Sequence, residues 1–113
     1  MSYTVLNRED LHLDGTSYEF EGYKYGDTNV TFILVDVPPG AGPRLHKHPY
    51  AEVFIILEGR ATYTVGPDTL EAVAGQVLIV QPETPHKFVN SGDGPLRQVD
   101  IHLNERFVTE WLE

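Results

Sequence analysis

The chain has 113 residues, of which 41% are hydrophobic and 22% are charged, so we expect one globular domain with a single packed core. Its 17 acidic and 8 basic residues give a formal net charge of -9, which disfavours binding to phosphate backbones and anionic lipid; we expect neither nucleic-acid nor membrane partners. Cysteine is absent and there is no basic-then-apolar leader or long apolar run, so a cytoplasmic protein without thiolate chemistry is expected.

The first third of the chain predicts two strands. Aromatic residues alternate between Ser17 and Tyr25, which is typical of a strand with a bulge at Gly22. Residues 28–37 are rich in β-branched side chains and apolar on both faces, so they predict a covered strand that ends at the prolines after Val37. His12 precedes both strands and is expected to be a surface residue rather than a ligand.

The segment from Gly40 to Glu52 carries the strongest functional pattern in the chain. His46 and His48 are two residues apart, so an extended backbone directs both imidazoles to one side. Glu52 has the same parity and begins an apolar run. Two imidazoles and a carboxylate directed into one space are costly to bury unless they bind something, and a divalent metal is the usual ligand for such a set.

The run that begins at Glu52 predicts both an inner and an outer face. If Glu52 and Phe54 face inward, an apolar row faces outward and needs a cover. That row consists of Val53, Ile55 and Leu57. Further apolar residues close to the end of the sequence are Val108, Trp111 and Leu112. This amount of exposed apolar surface predicts a homodimer, in which a two-fold pair of subunits covers it.

The second half of the chain predicts more short strands. Residues 61–65 and 69–74 flank the turn Gly66-Pro67-Asp68 and should form a solvent-facing hairpin. Residues 76–81 and 84–90 form two more strands, the second with His86 on its inner face. Along residues 96–103, the favoured interpretation places Asp100 and His102 on an outward polar face. If that parity is reversed, both become candidates for supporting or acid–base roles in the site.

Nine or ten short strands without a convincing helix predict an all-β sandwich or barrel in one domain, residues 1–113. The expected apolar wall of its interior is Phe32, Leu34, Phe54, Ile56, Tyr63 and Phe88. Such a lining favours a small, partly apolar molecule as substrate or ligand.

Two spaced motifs resemble those of the cupin family. The first, at 40–59, places Gly40, His46, His48, Glu52 and Gly59 at the family spacing. The second, at 75–90, places Gly75, His86 and Asn90 correctly, although Gln81 and Glu83 stand where the family has proline and glycine. The resemblance implies a jelly-roll β-barrel, which manages its strand edges by doubling its sheets.

By this resemblance the metal ligands are His46, His48, Glu52 and His86. A set of three histidines and one glutamate suits one divalent transition metal per chain: iron, manganese, nickel, copper or zinc. The resemblance implies an enzyme that acts on a small organic molecule at a mononuclear centre, with dioxygenase-type cleavage first and isomerase or decarboxylase chemistry next. Fold and ligands alone do not fix the reaction.

Two other functions stay open. One is a non-catalytic module that binds a small ligand or a metal; the other is a metal-free cupin similar to sugar isomerases, which would not need all four ligands. Two residues near the first motif are candidate catalytic groups. Arg44 shares the parity of His46 and could contact an anionic substrate, and Tyr50 could line the mouth of the site.

Overall fold

The computed structural model describes residues 2–113, and these residues form eleven β-strands and two short 3-10 helices. The strands are β1 (His12–Asp14), β2 (Ser17–Glu21), β3 (Thr31–Val37), β4 (His46–Lys47), β5 (Glu52–Glu58), β6 (Arg60–Val65), β7 (Asp68–Val73), β8 (Val77–Val80), β9 (His86–Asn90), β10 (Leu96–His102) and β11 (Glu110–Trp111). The 3-10 helices are Arg8–Asp10 and Gly22–Lys24. The second ends the strand after Glu21, so the bulged strand predicted to continue to Tyr25 is wrong.

Two antiparallel sheets are formed. The six-stranded sheet has the order β1-β2-β3-β10-β5-β8, and the five-stranded sheet has the order β11-β4-β9-β6-β7. Most neighbours are not consecutive in sequence, as expected when the chain crosses repeatedly between two layers. The all-β fold class is therefore confirmed.

The core lies between the two sheets. Phe54 and Ile56 from β5 meet Tyr63 from β6 and Leu96 from β10, and all four are at most 1% exposed. The rings of Phe54 and Tyr63 pack edge to face with centroids 5.2 Å apart, a favourable aromatic geometry. Since Tyr63 is completely buried, one face of the β6–β7 hairpin belongs to the core, and the prediction that this hairpin faces solvent is wrong.

β3 presents the face opposite to the one predicted. Val35 is buried in the core, with Ile33 and Val37 packed beside it. Because strand side chains alternate, Phe32 and Leu34 lie on the outer face, where Phe32 stacks on Phe20 with centroids 4.6 Å apart. The assignment of Phe32 and Leu34 to the interior wall was wrong. This strand is apolar on both faces, so its sequence does not indicate which set of alternating residues faces the core.

β10 also corrects a prediction. Gln98, Asp100 and His102 are at most 3% exposed and face the space between the sheets, whereas Val99 and Ile101 face out. The expected outward polar face is therefore wrong. The polar row can be buried because its members find partners inside: Gln98 accepts from Tyr63 at 2.9 Å and donates to Asp100 at 2.7 Å.

The outer face of the six-stranded sheet carries two continuous apolar rows across five strands. The residues in register are Tyr18, Leu34, Val99, Ile55 and Val77 in one row, and Phe20, Phe32, Ile101, Val53 and Ile79 in the other. Val77 is 60% and Ile79 is 57% exposed. This sheet face is far more apolar than a solvated face needs to be.

The turn before β9 keeps a glycine-like backbone without glycine. Glu83 has φ 66°, in the left-handed region that non-glycine residues rarely adopt. Its backbone N–H donates to the carbonyl oxygen of His48 at 2.7 Å, and its carboxylate lies 3.2 Å from Lys47 Nζ. These contacts hold the turn in the conformation that the missing glycine would favour, and His86 follows directly from it.

No helix in the described part of the chain has the length and hydropathy required to cross a membrane.

Candidate metal centre

The four predicted ligands converge between the sheets. His46 lies on β4, His48 just after it, Glu52 at the start of β5 and His86 at the start of β9, where His46 and His86 are paired in register. Each is at most 7% exposed. One potential ligand atom from each residue lies within 4.8 Å of the others. A possible site with three histidines and one glutamate is thus formed by the residues that the motif spacing selects.

Backbone carbonyls fix the orientation of all three imidazoles. Nδ1 of His46 contacts the carbonyl oxygen of Arg44 at 2.6 Å, and Nδ1 of His86 contacts that of Thr84 at 2.8 Å. Nδ1 of His48 contacts the carbonyl oxygen of Val108 at 2.9 Å. A carbonyl can only accept, so each Nδ1 carries a hydrogen, and in the neutral ring the lone pair of Nε2 is available to a metal. Such outer contacts are typical of histidine ligands.

The surroundings of His48 indicate that the four side chains are suited to a metal ion. Nε2 of His48 is buried and has no hydrogen-bond partner among the described residues. It lies 3.2 Å from Oε1 of Glu52, so two electron-rich atoms face each other. A buried lone pair opposite a carboxylate is costly unless a cation lies between them. Nitrogen and oxygen donors without thiolate match the divalent transition metals.

Without a metal, the pKa values of the candidate ligands shift in different directions. Burial raises the pKa of Glu52, but polar contacts with His102, His48 and His86 outweigh it and lower this pKa well below its ordinary value. Burial lowers the pKa of His46 to about 4. Burial also opposes the charge on His86, yet its 3.1 Å hydrogen bond to Glu52 raises its pKa overall. In the absence of a metal, this hydrogen bond favours the protonated form of His86.

His102 contacts the carboxylate from the side opposite to the ligands. Its Nε2 lies 3.1 Å from Oε2 of Glu52, and its Nδ1 lies 2.7 Å from the hydroxyl of Tyr50. The Glu52 carboxylate can only accept, so Nε2 of His102 carries a hydrogen. Nδ1 of His102 can then accept from the Tyr50 hydroxyl, which itself accepts from the backbone N–H of Val108 at 3.2 Å. His102 orients Glu52 and is not itself a ligand.

The last residues of the chain cover the site. We call residues 107–113 the C-terminal strap. Within it, β11 pairs with β4, and the ring of Trp111 packs on His46 with centroids 5.0 Å apart. Phe107 packs edge to face on His102 at 4.9 Å. The strap thus contacts both His46, a candidate ligand, and His102, which contacts Glu52.

A cavity of about 650 Å³ adjoins His46, His48 and Glu52. It lies between the sheets and is lined by Asp14, Ser17, Glu19, Ile33, Val35, Val37, Ala41, Gly42, Pro43, His46, His48, Glu52, Phe54, Phe88, Asp100, His102, Phe107, Thr109 and Trp111. Its size suits a small organic molecule. His46, His48 and Glu52 form part of its wall, so a bound molecule has access to the metal centre.

Residues 33–102 match the model of a protein family described as Cupin domain. These residues make up more than half of the chain and contain all four converging side chains. The chain is a cupin.

Relatives of this cupin have diverse roles. It is 40% identical over 62 residues to an uncharacterised protein of Methanocaldococcus jannaschii, covering 54% of this chain and 50% of that protein. It is 28% identical over 108 residues to the HTH-type transcriptional regulator PuuR of Escherichia coli, covering 91% of this chain and 58% of the regulator. The chain thus spans about half the length of these curated relatives.

Solved structures of oxalate decarboxylase from Bacillus subtilis have the same fold. One, at pH 4.6, superimposes with a TM-score of 0.77 at 28% identity, covering 85% of this cupin and 27% of the decarboxylase chain. Another study of that decarboxylase concerns its Mn(II) centres, and its structure also has a TM-score of 0.77.

The candidate catalytic residues of this cupin lie outside the cavity lining. Arg44 is exposed, with its guanidinium 5.0 Å from the centroid of the Trp111 ring. Tyr50 lies behind His102, and burial raises the pKa of its hydroxyl to about 12. The motifs did not indicate His102, Asp100 or the Val108 carbonyl. The clean alternation of β10 was the available signal for the first two, since it left only the choice of face open.

Proposed function

We propose that this cupin binds one divalent transition metal through His46, His48, Glu52 and His86, and acts there on a small organic molecule. The observation that carries the proposal is the common orientation of the three imidazoles. Each has Nδ1 bound to a backbone carbonyl and Nε2 directed toward Glu52. A metal would provide the partner that the buried Nε2 of His48 lacks among the described residues.

The metal would supply Lewis acidity, or redox chemistry if it is iron or manganese. The protein's own residues have three tasks. His102, held by Tyr50, fixes the direction of the Glu52 carboxylate. Phe54 and Phe88 form an apolar wall against which the body of a molecule packs. Trp111 and Phe107 in the C-terminal strap shield the ligands from water.

For the reaction, we keep dioxygenase-type cleavage as the first candidate and decarboxylation as the next. Both need a mononuclear centre with an open position beside an apolar cavity. Similarity to oxalate decarboxylase supports the second, and the manganese centres of that protein make manganese and iron the first metals to test. The metal-free, isomerase-like alternative is less well supported, because it gives no reason for the unpartnered Nε2 of His48.

A non-catalytic binding module is the alternative function. It is favoured by the match to PuuR, which covers 91% of this chain in a protein named as a transcriptional regulator. In that case the same cavity would hold a ligand that is bound and released unchanged. The acidic composition still disfavours direct contact with nucleic acid by this chain. A cytoplasmic location stays a prediction from the sequence.

We also propose that the chain forms a homodimer through the outer face of its six-stranded sheet. The two apolar rows span five strands, roughly 20 Å at the usual strand spacing. A second copy that presents the same face would cover both rows at once, as a two-fold interface requires.

The test of the metal centre is elemental analysis of protein purified without chelator. We expect close to one divalent metal per chain in the wild type and a loss of at least ~10-fold in affinity in His86→Ala. His12→Ala is the matched control, because His12 is an exposed imidazole outside the site. Equal, trace metal in all three proteins would overturn the proposal. Oxygen uptake by the iron-loaded protein with candidate substrates then separates the oxygenase from the binding module.

A further inference from the structure

The cavity beside the metal centre has an acidic and apolar lining. Asp14 is exposed at its rim, Glu19 is half-buried on its wall and Asp100 is buried at depth. Although the chain has 8 lysines and arginines, none belongs to the described residues that line this cavity. The described lining therefore offers no lysine or arginine to pair with a carboxylate of a bound molecule.

Asp100 has an acceptor directed into the cavity without a donor. The residue is 3% exposed, and Oδ1 accepts from Nε2 of Gln98 at 2.7 Å. The Gln98 amide is fixed in turn by the hydroxyl of Tyr63. No hydrogen bond from the described residues reaches Oδ2. Oδ2 is not among the fully buried atoms that lack a partner, so a donor on a molecule in the cavity can reach it.

Glu19 extends the same acidic surface toward solvent. It pairs with Ile33, which pairs with Asp100, so the two acids share one row of the sheet, two strands and roughly 10 Å apart. Burial and the neighbouring Asp14 raise the pKa of Glu19. A cation moving from the rim inward passes three carboxyl groups in succession, whereas an anion is repelled by each.

We propose that the molecule bound in this cavity carries an amine or ammonium group that lies against Asp100, while its apolar body packs on Ile33, Val35 and Phe88. The inference rests on the proposed function and names its class of substrate. Asp100 and His102 are alternate residues on one face of β10, so the amine lies roughly 7 Å from the level of Glu52. The other end of the same molecule then reaches the metal centre.

Three matched compounds test the proposal: tyramine, tyrosol and 4-hydroxyphenylacetate. They share a phenol and differ only in an ammonium, hydroxyl or carboxylate group at the opposite end. Calorimetric titration of zinc-loaded protein should give an affinity for tyramine at least ~10-fold above that for 4-hydroxyphenylacetate. Asp100→Asn keeps the oxygen that accepts from Gln98 but loses the charge, so it should weaken tyramine ~10-fold and tyrosol less than ~3-fold. Asp93→Asn, an exposed loop position, is the control and should change neither affinity.

Tighter binding of the carboxylate, equal losses for tyramine and tyrosol in Asp100→Asn, or no binding of any compound at millimolar concentration would overturn the proposal. The same titrations on chelator-stripped protein separate it from the metal hypothesis. Selectivity for tyramine in a protein that binds no zinc would contradict the metal centre and leave the amine site standing. A zinc site with no preference for tyramine would do the reverse.

Discussion

His102 presents Nε2 to Oε2 of Glu52 at 3.1 Å, from the side of the carboxylate opposite to the ligand histidines. Oε1 is left to face His48 and His86, at 3.2 and 3.1 Å. One oxygen of Glu52 is therefore held by the protein and the other is directed into the site. Because His102 contacts only Oε2 and leaves Oε1 facing the candidate ligands, we interpret it as a positioning residue for the proposed metal centre.

Removing this contact should weaken metal binding without removing a ligand. We expect His102→Ala to lower metal affinity by about 10–100-fold, the range typical for loss of such an outer contact. His102→Gln should recover part of the loss, because its amide can still donate to Glu52. Competition with a chromogenic chelator measures both. Unchanged affinity in His102→Ala would mean that the other contacts of Glu52 suffice to orient it.

Metal affinity should fall as the pH falls through the raised pKa of His86. The hydrogen bond to Glu52 raises the pKa of His86, so we expect a metal to displace a proton there and binding to release about one proton below that pKa. His46, with its pKa lowered to about 4, remains unprotonated over the same range and does not compete. Zinc titrations in buffers of different ionisation enthalpy count the protons. A heat independent of buffer at pH 6 would contradict the expected proton release.

Glu52→Gln should reduce metal affinity and leave the fold intact. Phe54, Ile56, Tyr63 and Leu96 form an apolar core apart from the four candidate ligands, so we expect folding not to depend on the metal. We expect thermal midpoints of Glu52→Gln and of chelator-stripped wild type within about 10 °C of the metal-loaded protein. A fall of roughly 30 °C or more in both, equivalent to several kcal/mol, would instead indicate a structural metal.

Asp100→Asn should stabilise the protein at neutral pH. Burial, followed by the charge of Glu52, raises the folded pKa of Asp100 above its unfolded value. Stability is therefore highest below the unfolded pKa and decreases as the pH rises through the folded one. The substitution removes this loss, so we expect a midpoint higher by about 4–8 °C at pH 7 for each ~1 kcal/mol regained. Unfolding curves at pH 7 and pH 4 check it: a gain equally large at pH 4 would assign the effect to something other than the charge.

The dimer proposal predicts a sedimentation mass of about twice the 12.7 kDa chain at micromolar concentration. Ile79→Lys places a charge at an exposed position of the outer apolar rows and should give a monomer. Val73→Lys is the control, at a partly exposed position of the other sheet. A wild-type mass of 12.7 kDa would refute the dimer and leave the fold unaffected.

The sequence predicted the ligands better than the residues around them. The resemblance to the two cupin motifs indicated His46, His48, Glu52 and His86, and the structure brings these four side chains together. His102 was not indicated, because alternation along β10 defines two faces without stating which is inside. Val99 and Ile101 are apolar enough to suggest that their face of β10 points to the core, but they lie on the outer face of the sheet. The partner of His48, Val108, is 60 residues away, and no local pattern indicates such a contact.

The hydrogen bond from His48 to the Val108 carbonyl couples docking of the C-terminal strap to metal binding. This bond selects the tautomer that can bind a metal, so docking of the strap and metal binding favour one another. If docking of the strap increases the metal affinity by some factor, thermodynamic linkage requires metal binding to favour the docked strap by the same factor. The amide hydrogens of Leu112 and Val108, whose N–H groups bond to Leu45 and Tyr50, would then exchange with solvent more slowly by that factor. Exchange of these two amides would therefore report whether the proposed metal is bound.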